Sequence, residues 1–117
     1  MVTMLQMFPF SPTVLVVDDD HALLRATTRM LRAIGLQVIP CDTVDEAVGR
    51  MLDCDVVLSD YDMPDGGGPR MLAEAKRAGK PLTFHSGSTG IDHPYVVKKP
   101  ATLDELQDGL LRAMAEQ

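Results

Sequence analysis

The run DVVLSDYDMPDGGG, residues 55–68, decides the reading of the fold. Its Val-Val-Leu core is β-branched and apolar at consecutive positions, so it has no solvent face and reads as a strand covered on both sides. It stops at Asp60, and the three glycines after Asp65 supply a turn. Upstream, TVLVV at 13–17 has the same character and runs into Asp18-Asp19-Asp20. Between the two lie a helix over 21–34, a strand LQVIP at 36–40 and a short helix from 43 through about 52. Leu23, Leu24, Thr27, Met30, Leu31 and Ile34 recur on one side of the first helix, and Gly35 stops it. Thr43 and Glu46 form a capping box for the second, which ends at Asp53. Downstream, an amphipathic stretch at 69–78 closes on Gly79, and strands follow at 81–86 and 95–98. A second capping box, Thr102 with Glu105, opens a terminal helix carrying Leu103, Leu106, Leu110, Leu111 and Met114 on one side.

This alternation implies an α/β fold: a doubly wound five-stranded parallel sheet with right-handed crossovers and helices on both faces. The fourth crossover departs from it. GSTGIDHP, residues 87–94, holds two glycines and a proline, which in a helix interior cost about 1 kcal/mol per Gly and about 3 for Pro. That crossover is therefore expected to be a loop, leaving its side of the sheet thinly covered. Residues 1–12, MVTMLQMFPFSP, have no clear period and read as a tail, with the folded domain at 13–117.

Among 117 residues, 45% are hydrophobic and 24% charged, the balance of one folded domain. The net charge is −6, and 13 of the 17 acids are Asp, which argues against a nucleic-acid partner. No run approaches the roughly 18 apolar residues of a membrane helix, and the N-terminus lacks a basic region before an apolar one, so the expected location is cytoplasmic. Cys41 and Cys54 fit neither a disulfide framework nor a metal spacing and read as buried filler. His21, His85 and His93 likewise fit no ligand pattern and read as partly buried or surface residues. Asp20, just before a helix, is expected to be its N-cap.

In an open parallel sheet, ligands collect beyond the carboxyl ends of the strands. Strand one delivers Asp18, Asp19 and Asp20 there; strand three delivers Asp60 with Asp62 beyond; strand four delivers Ser86; strand five delivers Lys98 and Lys99. Two carboxylates about 4 Å apart repel by about 4 kcal/mol at an effective dielectric of 20, so such a cluster either raises its own pKa values or binds a cation. Mg²⁺ suits it, using one or two carboxylates and filling its octahedron with water and phosphate oxygens. The remaining carboxylate can attack phosphorus, while a hydroxyl and an ammonium stabilise the transferred oxygens.

VLVVDDD, DVVLSDYDMPDGGG, FHSGS and YVVKKP, in this order and each at a strand end, resemble the receiver domain of two-component response regulators over nearly all of 13–115. The resemblance implies the strand order 2-1-3-4-5, for which a receiver is itself a standard example. It implies that Asp60 accepts a phosphoryl group from the phosphohistidine of a sensor histidine kinase or histidine phosphotransfer protein. Asp19 would ligate Mg²⁺ directly, Asp18 through a bound water, and Asp62 through its backbone carbonyl, with Asp60 itself in the metal set. Ser86 and Lys99 match the hydroxyl and lysine that hold the phosphoryl group. Output would pass by contact to a downstream protein target, with only self-phosphorylation and autodephosphorylation as chemistry.

The departures are specific. The missing fourth crossover helix is similar to the receiver subclass known as FATGUY, whose motif Phe84, Ser86 and Gly87 fit. Receivers carry an aromatic three residues before the active lysine; counted from Lys99 that place is Val96, with Tyr95 one too early. Taking Lys98 as the active lysine restores Tyr95 but breaks the Lys-Pro pairing, which favours Lys99. The alternative is a degenerate receiver that binds a partner without phosphorylation; the intact Asp18, Asp19, Asp60, Ser86 and Lys99 set argues against it, whereas the departures argue for altered output. An aspartyl-phosphate phosphohydrolase, suggested by Asp60-Tyr61-Asp62, ranks last because 117 residues scarcely accommodate the cap such enzymes need.

Overall fold

A computed structural model describes residue 8 and residues 10–116; the rest of the expected tail, residues 1–7 and 9, lies outside the described residues. Five parallel strands are ordered β2-β1-β3-β4-β5: β1 (Thr13–Val17), β2 (Gln37–Cys41), β3 (Val56–Ser59), β4 (Leu82–Ser86) and β5 (Val96–Lys98). Four α-helices connect or flank them among the described residues: α1 (His21–Ala33), α2 (Val44–Gly49), α3 (Gly67–Ala78) and α4 (Leu103–Ala115). The expected fold class and strand order are those observed.

Alternation along the two-faced strands sorts the core into two layers. Leu15, Val17, Val57 and Phe84 face α2 and α3, where Ala47, Met71 and Ala75 meet them. Val14, Val16, Val56 and Leu58 face α1 and α4, against Leu24, Leu31, Leu106 and Leu110. Each such large side chain contributes about 1.5–3 kcal/mol by leaving water. Helix α4 approaches the sheet closely: Thr83 Oγ1 donates to the Gly109 carbonyl at 2.9 Å, and a Cβ at Gly109 would stand 2.5 Å from a Val97 methyl.

Helix starts follow the expected caps. Asp20 accepts from the Leu23 amide at 3.1 Å, and Thr102 and Glu105 form a complete capping box. At α2 only half the box forms: Thr43 accepts from the Glu46 amide at 3.1 Å, while the Glu46 carboxylate lies against the Cys41 thiol. Two boundaries differ from expectation. α2 stops at Gly49, and Met51–Asp53 tighten into a 3₁₀ turn, because Gly49 and the Arg50–Asp53 ion pair at 2.9 Å favour closing the chain there. α3 starts at Gly67, two residues before Pro69, since Gly66 at φ 104° and Gly67 at φ 57° turn the chain without a side chain in the way.

The fourth crossover carries no helix between Ser86 and Val96, as its composition requires. The thin cover expected there is instead supplied by side chains. Tyr61, Phe84, His93 and Tyr95 pack edge to face in series, with centroids 5.1, 5.1 and 5.7 Å apart, and Ile91 adds to the same layer. His93 Nε2 bonds the Leu82 carbonyl oxygen at 2.7 Å, tying the loop to β4. Among the described residues no helix is long and apolar enough to cross a membrane.

Candidate functional site

Strands β1, β3, β4 and β5 end side by side, so their last residues share one rim. Asp18, Asp19 and Asp60 each offer a carboxylate oxygen, and these oxygens lie within 4.8 Å of one another. Asp18 and Asp60 are buried; Asp19 is exposed. Backbone donors fix the two buried acids: Asp18 Oδ1 accepts from the Asp20 amide at 3.0 Å and Asp60 Oδ1 from the Tyr61 amide at 2.8 Å. Between them reaches Lys99, whose Nζ is 2.9 Å from Asp18 Oδ2 and 3.5 Å from Asp60 Oδ2.

Strand alternation explains why Lys99 and not Lys98 arrives. Val97 packs in the layer beneath α1 and α4, so Lys99, two residues on, points to that face, whereas Lys98 is exposed. The Lys99 amide also donates to the Ser86 carbonyl at 3.0 Å, which fixes the end of β5 against β4. Ser86 is fully buried, and its Oγ accepts from the Ser88 amide at 3.1 Å. The Asp62 side chain lies outside the carboxylate cluster and accepts from the Ser88 hydroxyl.

Burial raises the Asp60 carboxyl above the ordinary value, and the Asp18 charge adds to this; Lys99 and the amides of Tyr61 and Asp62 pull it back. The arrangement therefore holds a strained negative cluster beside one cation. A hard divalent ion fits: the donors are carboxylate oxygens, as Mg²⁺ prefers, and their mutual spacing lets them share one ion. The thiols are inert by contrast, burial pushing Cys41 up to about 12 and Cys54 up to about 11.

A model of the family described as response regulator receiver domain matches residues 14–110. The chain belongs to that family. The receiver is 34% identical over 83 residues to the cell cycle transcriptional regulator CtrA of Caulobacter vibrioides, an overlap of 68% of this chain and 36% of CtrA. It thus spans little more than a third of the curated relatives it matches. Against the receiver domain of the hybrid histidine kinase CckA it is 28% identical with a TM-score of 0.74, covering 87% of this chain and 98% of that one. A CheY-like receiver from Methanospirillum hungatei JF-1 shares the fold at a TM-score of 0.80 and 22% identity, over 92% of this receiver and 96% of its own chain.

Sequence reasoning missed two neighbours of this site. His85, taken for a partly buried or surface residue, is 5% exposed and sits beside the rim. The period of β4 carries the signal, because Phe84 faces one layer and its neighbour must face the other. The second is Gly68, whose backbone supports the residue that follows Asp60: its amide donates to the Tyr61 carbonyl at 2.7 Å.

Proposed function

We propose that this receiver accepts a phosphoryl group on Asp60 from the phosphohistidine of a sensor histidine kinase or phosphotransfer protein, and signals by contact with a downstream protein. The observation carrying this reading is the convergence of Asp18, Asp19 and Asp60 within 4.8 Å, with Lys99 bridging two of them. An Asp60 oxygen forms the new P–O bond as the donor's P–N bond breaks, and the imidazole leaves with that electron pair. Lys99, already beside Asp60, balances charge on the phosphoryl oxygens, and the Ser86 hydroxyl donates to one of them. Asp18, Asp19, Asp60 and the Asp62 backbone carbonyl would hold Mg²⁺, which supplies charge neutralisation for the attacking and transferred oxygens. In this reading residues 13–117 form the signalling unit, 1–12 its tail, and the protein works in the cytoplasm. Its acidity supports a protein partner over nucleic acid.

Intact mass after incubation with a small phosphoryl donor tests this, using wild type and Asp60→Asn with and without Mg²⁺. One phosphoryl adduct on wild type alone, and only with metal, is the expected result. Folded wild type that gains no adduct would instead support a phosphorylation-independent interaction module.

A further inference from the structure

The proposed reaction gives no task to His85, although the structure leaves its imidazole in an unusual state. Its Nε2 is buried and has no hydrogen-bond partner among the described residues, a condition that native interiors rarely tolerate. The ring lines a cavity of about 340 Å³ between α1 and the end of β5, together with Leu23, Thr27, Met30, Lys99, Pro100 and Ala101. Lys99 is unsatisfied in a complementary way. An ammonium has three N–H donors, and among the described residues this one has two partners, the Asp18 and Asp60 carboxylates. A largely buried ammonium with a spare donor and a buried imidazole nitrogen without a partner therefore border the same space.

We infer that His85 is a positioning residue for Lys99, its neutral imidazole serving as the third acceptor of the ammonium, directly or through one water in the shared cavity. Burial first, and then the positive charge of Lys99, lowers His85 to about 4, so the ring is unprotonated at neutral pH and able to accept. The role matters most during transfer. As the phosphoryl group reaches Asp60, Lys99 must exchange that carboxylate for the phosphoryl oxygens, while Asp18, 2.9 Å away, still draws the ammonium toward β1. An uncharged acceptor on β4 opposes that retreat without competing for the phosphoryl charge. The cavity has space for a water, and two polar groups are available to hold it.

The inference rests on the proposed phosphoacceptor reading, and the test separates the two. Wild type, His85→Leu and His85→Gln are compared for phosphorylation rate with a small phosphoryl donor and Mg²⁺, alongside melting temperature. His85→Leu is expected to stay folded yet slow adduct formation about tenfold, the loss associated with one hydrogen bond to a charged group, and His85→Gln to recover part of it. A direct readout is the ¹H–¹⁵N correlation spectrum of the imidazole in wild type and Lys99→Met. The nitrogen facing Lys99 is expected to be unprotonated in wild type and to shift in the variant. Equal rates in all three proteins, or imidazole resonances indifferent to Lys99→Met, would overturn the positioning role while leaving the phosphoacceptor reading intact. Absence of any adduct on wild type would overturn that reading instead; the imidazole spectra would still decide the contact.

Discussion

The ring of Tyr61 lies over the α-carbon of Gly68, so close that a Cβ there would fall 2.1 Å from a ring carbon. Because Tyr61 follows Asp60 and its amide holds the Asp60 carboxylate, this packing reaches the proposed acceptor through one peptide bond. Gly68→Ala is expected to cost about 1–3 kcal/mol as the ring is displaced. It should also slow Asp60 phosphorylation; chemical denaturation and adduct mass check the two effects separately.

Asp60 is held above its ordinary pKa, so its ionised form opposes folding at neutral pH. The folded state binds that proton more tightly than the unfolded chain, hence the stability it contributes is present at low pH and is lost as pH rises through the folded value. Asp60→Asn removes a buried negative charge and is expected to melt higher than wild type at neutral pH. Mg²⁺ at ten times its Kd should add about 1.4 kcal/mol to wild type by mass action, and EDTA should remove it. Calorimetry on both proteins across a magnesium titration measures this.

His85 gives the opposite slope. Its folded value of about 4 lies below the ordinary 6.5, so its contribution is full above 6.5 and is lost as pH falls toward 4. Between pH 7 and pH 5 that loss amounts to about 2 kcal/mol. Urea midpoints of His85→Leu should fall less over this interval than those of wild type.

Ser88 and Asp62 bond each other, and the Ser88 amide bonds the Ser86 hydroxyl, which puts the pair on the path proposed here for a water attacking the acyl phosphate. Ser88→Ala and Asp62→Asn are expected to alter the phosphoryl half-life severalfold while moving the melting temperature little, since both groups are at least partly exposed. Unchanged decay in both variants would remove these residues from the hydrolytic path.

Local chemistry made the frame legible: two-faced apolar runs placed β1 and β3 at the centre, and the Thr43 and Thr102 caps started their helices. The strand ends brought Asp18, Asp19, Asp60, Ser86 and both Lys98 and Lys99 to one rim, because parallel strands end side by side, and the Lys-Pro pairing of the resembled family selected Lys99. What stayed hidden depended on tertiary packing. The cover over Phe84 comes from His93 and Tyr95, whose ring geometry no spacing encodes. The early end of α2 arises where Gly49 meets an ion pair one turn on. His85 was misjudged by composition, since a histidine is seldom placed in a core without a bonding partner.

The Lys99–Asp18 contact joins residues 81 positions apart in the chain. During synthesis, every shorter product holds the clustered acids without their cation, so the rim stays mutually repelling until β5 emerges and docks. Charge balance at the rim is thus the last thing that the sheet of this domain acquires. In the proposed reading, a chain that takes up a phosphoryl group has already completed its sheet.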